Sequence, residues 1–480
     1  MSFTSFDFII FLAMSIITYY ALPVRFQKYV LLISSIVFYC SFGMKSILIL
    51  LISVVVIYLS AIGIERTTYE KTRYYIVYRR GILIAAIIIE LFLLIAIKYV
   101  VNFREKWNLL VPIGISFYTL SIIGYLIDVY RNDCKAEKHF PLFLLYVIWF
   151  PHILQGPIAR YGKLMPQFRK PVKLNYMRIK MGIQLMLWGY VKKLVIADRA
   201  AIFVDSVYSK IKIQSGTILL LASIFYTLQI YMDFSGCVDI ALGASEIFGI
   251  QLSSNFRQPY FANSINDFWR RWHISLSSWF RDYLYIPLGG NRKGKIRRWL
   301  NVLIVFTVSG FWHGVGINFG IWGMLHGVYQ ILGTCLQPAR QKIIRLLKFD
   351  VHNRIFLFGQ VVITLFLVNL AWIFFRVTDL QEALEVARMS LTNITPWVFT
   401  DGTIFQYGIS SAHMLVLILF VFIAVNVDIL HEKQIKIREC IQKQHIIIRW
   451  TIYLGAIFSI LLFGVYGIGY DAKSFIYMNF

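Results

Sequence analysis

The stretch "SILILLISVVVIYLSAIGI", residues 46–64, contains nineteen residues and no charged side chain. A run of this length can cross the roughly 30 Å hydrocarbon core of a bilayer as a single α-helix. Other predominantly apolar runs recur along the chain, at 26–43, 81–99, 217–234, 355–375, 411–429 and 450–468. The sequence therefore predicts an all-α polytopic membrane protein. About eleven or twelve transmembrane helices are expected when the loops are assigned alternately to the two sides of the membrane, with the basic loops on the cytoplasmic side.

The composition agrees with this class. Of the 480 residues, 58% are hydrophobic and 15% are charged, whereas soluble domains average about 25% charged residues. The net charge of +24 is expected from basic loops held on the cytoplasmic side, so it predicts contact with the lipid bilayer and no nucleic-acid partner. The five cysteines are scattered, without a C-x-x-C pair, and predict neither a disulfide framework nor a metal site.

Loop charges suggest an orientation. Residues 1–22 carry no lysine or arginine, which places the N-terminus outside. Alternation then puts the basic segments 65–80, 156–180, 251–298, 337–354 and 430–449 inside and the loop 376–410 outside. The run "FPLFLLYVIWFPHILQGP" (140–157) lies between two basic segments and is interrupted by Pro141 and Pro151. A run this short and broken is expected to dip in and return, which implies an internal polar cavity.

Ionisable side chains inside apolar runs are candidates for function, because each is expensive in hydrocarbon. In "LQIYMDFSGCVDIALG" (228–243), Asp233 and Asp239 lie near Gln229 and Ser235. Helical spacing puts Gln229 and Asp233 on one face. These four residues are interpreted either as a polar network that braces helices or as groups that act on a substrate or proton. Gly236 and Gly243 suggest close packing or a break in the helix.

A second block is "NDFWRRWHISLSSWFRDYLYIPLGGNRKGKIRR" (266–298). As one helix it places Phe268, Trp272, Leu276 and Trp279 in a stripe, with Arg271 on another face and His273 beside the stripe. This pattern predicts a helix lying in the membrane interface. The glycine-rich tail, with Asn291, Arg292 and Lys293, can cradle a phosphorylated cytosolic molecule. Positive-inside charge bias explains the same residues without a ligand.

The third site is "SGFWHGVGINFG" (309–320), where His313 follows Trp312 inside apolar sequence. We expect one apolar helix to end at His313, the glycines after it to turn the chain, and a second helix to follow. His313 is interpreted either as a core histidine bonded to a neighbouring helix or as a catalytic base. His326, on the second helix, is interpreted as a core histidine.

A buried neutral imidazole is a good general base near pH 7. The chain has no G-x-S-x-G, P-loop or H-E-x-x-H motif and no paired-carboxylate signature. A base without a protein nucleophile indicates activation of a substrate hydroxyl, which fits acyl transfer and not metal-dependent hydrolysis.

Four blocks, "VPIGISFYTLSIIGYLIDVYR" (111–131), "MDFSGCVDIALG" (232–243), "NDFWRRWHISLSSWFRDYLYIPLGGNRKG" (266–294) and "GFWHG" (310–314), resemble the membrane-bound O-acyltransferase superfamily. They most resemble its alginate O-acetyltransferase branch. The resemblance covers about 111–330 and implies a single membrane-embedded domain over 1–480, a ring of tilted helices around a central funnel.

The resemblance also implies a function. It makes His313, in the "FWHG" motif, the catalytic residue and His273, in "RRWH", the second active-site residue. It implies acetyl-CoA as a cytosolic donor, with no tightly bound cofactor and no metal. The acceptor is a polysaccharide outside the cytoplasm, alginate-like or another exopolysaccharide, and transfer usually needs an extracytoplasmic SGNH-type partner. The location implied is the bacterial inner membrane.

Two alternatives stay open from the sequence. The first is a D-alanyl transfer protein for teichoic acid, in the same superfamily. The second is a secondary transporter, because broken helices and intramembrane charges are typical of transporters too.

The charge alternation makes a prediction about topology. Single cysteines introduced into 376–410 should react with a membrane-impermeant thiol reagent added to intact cells, and cysteines at 291–298 should not, because the latter segment faces the cytoplasm. Labelling is measured on the isolated protein. The reverse pattern would contradict the orientation and the cytoplasmic side assigned to the donor.

Overall fold

The computed structural model describes residues 1–67, 72–100, 112–346, 350 and 353–466. Parts of four predicted segments lie outside these residues: 68–71 of the basic loop 65–80, position 111 of the block 111–131, 347–349 and 351–352 of the basic segment 337–354, and 467–468 of the run 450–468.

Helices follow one another along the chain. The first half contains α1 (Phe6–Ala21), α2 (Gln27–Cys40), α3 (Met44–Arg66), α4 (Arg73–Lys98), α5 (Ile115–Arg131), α6 (Phe140–Ile148), α7 (Phe150–Ile153), α8 (Tyr161–Phe168), α9 (Tyr176–Tyr190), α10 (Asp198–Tyr208) and α11 (Gly216–Ile247). The second half contains α12 (Ile265–Arg271), α13 (Ile274–Phe280), α14 (Gly294–His313), α15 (Ile317–Cys335), α16 (Gln337–Leu346), α17 (Arg354–Arg376), α18 (Leu380–Thr392), α19 (Ser411–Glu432), α20 (Ile437–Gln442) and α21 (Ile446–Phe463). Two π-helical segments, Val191–Ala197 and Arg281–Tyr285, continue α9 and α13.

Six helices among the described residues are long and apolar enough to cross a membrane. They are α3, α4, α11, α17, α19 and α21. No β-strand occurs in the part of the chain that the structure describes. The protein is therefore an all-α, multi-pass membrane protein, as the sequence predicts. The count of eleven or twelve spans stays a prediction, because the other described helices are too short or not apolar enough to be candidates for crossing a membrane.

The chain forms two compact units. The first comprises Met1–Met186 and Cys237–Ser253, and the second comprises Leu187–Gly236 and Ser254–Phe480. In the first unit, the interrupted run 140–157 forms the short helices α6 and α7, which break at Trp149. The predicted interruption is confirmed. The single domain over 1–480, the funnel and the re-entrant path stay predictions.

Glu137 braces the first unit beside α6. Its carboxylate accepts hydrogen bonds from the Tyr161 hydroxyl at 2.8 Å and the His139 backbone N–H at 3.0 Å, and it pairs with Arg169. Its side chain is only 1% exposed. Backbone and guanidinium donors together compensate the burial of this charge.

The glycines of α11 mark close packing, one of the two predicted alternatives. In the first unit, a Cβ on Gly243 would lie 2.5 Å from the Gly182 carbonyl oxygen. In the second unit, a Cβ on Gly236 would lie 2.8 Å from the Gly189 carbonyl oxygen. Real Cβ atoms do not approach a carbonyl this closely, so the helix needs glycine at both positions.

The block 266–298 is not one helix, so the prediction of a single continuous helix is wrong, and its location in the membrane interface stays a prediction. Trp272 is extended, with φ −99° and ψ 131°, and His273 is left-handed, with φ 43° and ψ 54°, so α12 and α13 are separate. Phe268, Trp272 and Leu276 are each 1% exposed. Burial against the protein explains this aromatic stripe. The loop 376–410 also contains a helix, α18, that the charge pattern does not reveal.

The turn after His313 is confirmed. Helix α14 ends at His313, Gly314–Gly316 turn the chain, and α15 runs back along α14. A Cβ on Gly310 would lie 2.1 Å from the Phe319 carbonyl oxygen, and one on Gly323 would lie 2.1 Å from that of Phe306. Small residues let the two backbones approach this closely inside a membrane. The approach sets where His313 lies.

Replacing Gly323 tests this packing. Gly323→Ala should destabilise the protein by about 1–3 kcal/mol, because the added methyl group forces the two backbones apart. Gly333→Ala is the matched control on α15, since no atom lies within 4 Å of a Cβ there. Thermal unfolding of purified protein in detergent measures both. Equal melting temperatures for the two variants would contradict the close approach of α14 and α15.

Candidate active site

Two histidines from different segments meet in the second unit. His273 lies between α12 and α13, and His313 ends α14, 40 residues further on. Their ring centroids are 6.4 Å apart. His273 is fully buried and His313 is 3% exposed. The Trp312 ring lies 6.3 Å from the His273 ring and 4.8 Å from the His313 ring. The structure thus brings together the two histidines and the tryptophan that the sequence singles out.

Aromatic side chains form the walls around the pair. The ring of His313 meets Trp322 at 5.1 Å and Phe375 at 5.5 Å, both edge to face. The ring of His273 meets Phe234 edge to face at 4.8 Å. These rings fix the planes of both imidazoles through packing.

His326 contacts the same tryptophan ring as His313. The Trp322 ring separates it from His313, with the two imidazole centroids 5.2 Å and 5.1 Å from Trp322. His326 is fully buried and also stacks on Phe268 at 6.1 Å. Neither ring nitrogen of His326 makes a hydrogen bond within the described ranges. The structure thus places His326 beside the site but not in the pair.

Asn255 holds the turn that carries His273, and the sequence analysis missed it. Its Oδ1 accepts the Ser275 backbone N–H at 3.0 Å and the Ser275 hydroxyl at 2.8 Å, and it lies 3.3 Å from His273 Nδ1. Its backbone carbonyl accepts the Ile274 N–H at 3.0 Å. Burial lowers the pKa of His273, which lies outside the six candidate spans, to about 3, so this imidazole is neutral at pH 7.

A buried ion-pair network includes Asp233, the residue before Phe234 on α11. Lys193 Nζ is 2.5 Å from Asp233 and 2.8 Å from Asp198. Lys193 and Asp233 side chains are 6% and 1% exposed. The next lysine, Lys192, donates to the Ser235 hydroxyl at 3.1 Å. These contacts support the bracing interpretation for Asp233 and Ser235, because the π-helical segment and α11 are joined by them.

Two adjacent lysines in the sequence are a signal for this network. Lys192 and Lys193 lie in the apolar stretch "YVKKLVIADR" (190–199), and buried lysines need a counter-charge. Gln229 lies one turn before Asp233 and is 8% exposed. Asp239 is on the part of α11 that belongs to the first unit.

The remaining predicted residues make other contacts or are exposed. Arg271 pairs with Asp267 at 2.8 Å and also with Glu432, which ties α12 to α19. Burial lowers the pKa of its guanidinium, but the two carboxylates outweigh burial and raise it. Asn291 accepts a hydrogen bond from the Tyr285 hydroxyl at 2.6 Å, whereas Arg292 and Lys293 are exposed.

A cavity of about 370 Å³ opens between α12, α13 and α14. Its walls include Ser309, four residues before His313, and Leu276, three residues after His273. Arg270 and Arg281 line it as well, and Arg281 Nε pairs with Asp282 at 2.9 Å. The cavity therefore combines an apolar wall with positive charge next to the segments that carry both histidines.

Removing Lys193 tests the network. Lys193→Met leaves two buried carboxylates without their shared cation, which should cost about 3–5 kcal/mol of folding free energy. The second change Asp233→Asn, added to Lys193→Met, should restore part of that loss because it removes one of those charges. Thermal unfolding in detergent measures single and double variants. Strictly additive losses would show that the two side chains are not coupled.

Comparison with known proteins places this site in a family. Residues 134–375 match the family model of the membrane-bound O-acyltransferase family. This range includes the Asn255 turn, both histidines and the Lys193 network.

Curated relatives agree with this match. A peptidoglycan O-acetyltransferase of Helicobacter pylori is 35% identical over 415 residues, which cover 79% of this chain and 76% of the relative. A probable alginate O-acetylase of Pseudomonas aeruginosa is 39% identical over 277 residues, 58% of this chain and 51% of the relative. A teichoic acid D-alanyltransferase of Bacillus subtilis is 31% identical over 239 residues, 48% of this chain and 59% of the relative. The chain thus aligns with about half the length of the alginate relative.

These matches decide between the enzyme and the transporter hypotheses in favour of the enzyme. The chain belongs to the membrane-bound O-acyltransferase family and is an acyltransferase.

Proposed function

We propose that this protein is a bacterial inner-membrane O-acetyltransferase. It takes acetyl from cytosolic acetyl-CoA and passes it across the membrane for O-acetylation of a cell-surface polysaccharide. The observation that carries this proposal is the pair of buried imidazoles, with ring centroids 6.4 Å apart, inside an aromatic wall. Acyl transfer between a thioester and a hydroxyl needs a base for the hydroxyl and a group that manages the leaving thiol.

In the proposed reaction, His313 accepts the proton of an acceptor hydroxyl as its oxygen attacks the acetyl carbonyl carbon. The new C–O bond forms and the C–S bond breaks, so acetyl leaves coenzyme A. The departing sulfur takes a proton, which regenerates the free thiol and the neutral imidazole. His273 orients the thioester or its departing sulfur. No net proton is gained or lost, which suits a neutral, buried site.

The charged cavity supports a polyanionic donor. Arg270 and Arg281 line the cavity beside both histidine-bearing segments, and guanidinium groups bind phosphates in bidentate fashion. The exposed Arg292 and Lys293 add positive charge nearby along the chain. Exposed charges of this kind mainly speed the arrival of an anionic donor and are screened by salt.

The relatives support a polysaccharide acceptor. The peptidoglycan O-acetyltransferase aligns with 79% of this chain, and the teichoic acid D-alanyltransferase with 48%. We therefore favour acetyl over D-alanyl transfer, with peptidoglycan or an alginate-like exopolysaccharide as the acceptor class. An extracytoplasmic SGNH-type partner that completes the transfer is part of this proposal.

Histidine variants test the reaction. His313→Gln can hydrogen-bond but cannot take a proton near pH 7, so it should lower the rate by about 10² to 10⁴-fold. His313→Ala should abolish detectable transfer, and His273→Ala should reduce it severely. The measurement is the release of coenzyme A thiol and the incorporation of labelled acetyl in membranes supplied with acetyl-CoA.

His326→Ala is the matched control, a third buried histidine in the same aromatic wall. It should lower the amount of folded protein more than the rate per folded molecule. Membrane protein is quantified for every variant. A well-inserted His313→Gln variant with near wild-type rate would make His313 a packing residue and overturn the mechanism.

A further inference from the structure

The backbone of His273 is held in an uncommon conformation. Its φ of 43° is left-handed, a region that non-glycine residues rarely occupy. Such conformations persist only where the surroundings hold them. Asn255 is part of these surroundings, because its main-chain oxygen accepts the Ile274 N–H and its side-chain oxygen accepts the Ser275 N–H, both at 3.0 Å.

These contacts fix which end of the Asn255 amide faces the turn. A backbone N–H can only donate, so the Asn255 atom that binds the Ser275 N–H is the carbonyl oxygen. The same oxygen lies 3.3 Å from His273 Nδ1. A carbonyl oxygen can only accept, so Nδ1 must carry the hydrogen in that contact. In a neutral imidazole the other nitrogen, Nε2, is then the basic one.

We propose that Asn255 is a positioning residue that fixes the His273 proton on Nδ1 and leaves Nε2 as the basic nitrogen of this imidazole. The proposal deepens the function proposed above and rests on it for its catalytic meaning. The neighbouring rings include Phe234 at 4.8 Å, Trp312 at 6.3 Å and His313 at 6.4 Å. The Asn255 oxygen is an uncharged acceptor, whereas a carboxylate in its place would also favour the imidazolium form of His273.

Tautomer selection has a consequence for acetyl transfer. With Nε2 basic, His273 can accept a hydrogen bond from the thiol of coenzyme A or from the acceptor hydroxyl. With the opposite tautomer, Nε2–H would donate, and the buried Nδ1 would face the carbonyl oxygen of Asn255, acceptor against acceptor. The Asn255 side-chain amide therefore decides whether His273 Nε2 accepts or donates a hydrogen bond.

Asn255→Leu removes the acceptor and keeps a similar side-chain volume. We expect kcat for acetyl transfer to fall by about 10- to 100-fold, the usual effect of losing the group that orients a functional histidine, with KM for acetyl-CoA little changed. Asn255→Asp keeps an acceptor oxygen in place and should recover most of that rate. Ser275→Ala keeps the backbone N–H and the tautomer, so its kcat should stay close to that of the wild type.

Asn369→Leu is the matched control for loss of a buried amide. Asn369 accepts a hydrogen bond from Ser223 at 3.1 Å and donates one to Thr227 at 2.7 Å, in the same unit as His273. Its replacement should lower the yield of folded protein and leave kcat per folded molecule and the His273 tautomer unchanged.

The tautomer is read directly by ¹⁵N NMR of histidine-labelled protein in lipid, with the His273 signals assigned by their loss in His273→Gln. We expect a protonated Nδ1 and a bare Nε2 in the wild type and in Asn255→Asp, and loss of this preference in folded Asn255→Leu. A wild-type proton on Nε2, or an unchanged tautomer and kcat in folded Asn255→Leu, would overturn the proposal. If the tautomer responds as expected but no variant, wild type included, transfers acetyl, the positioning stands and the proposed reaction is wrong.

Discussion

The close approach of α14 and α15 sets the position of His313 and Trp312 in the second unit's site. The carbonyl oxygens of Phe319 and Phe306 occupy the space that a Cβ on Gly310 or Gly323 would need. In hydrocarbon there is little hydrophobic force to hold helices together, so contact between backbones carries much of the association. The turn at Gly314–Gly316 then has to be short, and His313 ends up at the tip of a rigid helical pair.

Polar groups in the same unit follow a second constraint. Within a membrane, each buried charge or amide needs a partner supplied by the protein. Lys193 meets two carboxylates, and Asn255 places both of its oxygens on the first turn of α13. Asp233 and Phe234 are adjacent on α11, and the first pairs with Lys193 while the second packs on His273. The charged network and the histidine pair are therefore fixed by the same helix.

Local features of the sequence predicted the fold class and one half of the site. The turn after His313 is marked by neighbouring glycines and by apolar runs on both sides, and the structure confirms it. The break at His273 was not predictable in the same way, because "RRWHIS" contains no glycine or proline. It depends on Asn255, which lies 18 residues earlier in the chain. The Lys193–Asp233 pair spans 40 residues, and the π-helical segment that presents Lys193 leaves no periodic signal. Contacts with residues distant in the sequence, such as Asn255 and Asp233, therefore decide backbone conformations that the local sequence does not determine.

The aromatic wall has a consequence for the lifetime of an activated acetyl group. A thioester beside a general base is open to attack by any hydroxyl, including that of water. The rings of Trp322, Phe375, Trp312 and Phe234 contact the histidine pair, and they offer a solvent molecule mostly carbon, with the two indole N–H groups as the polar atoms. An enclosure of this kind prevents side reactions such as hydrolysis. In the reaction proposed above, the tightness with which these rings pack would govern the ratio of transferred to hydrolysed acetyl, independently of the basicity of either imidazole.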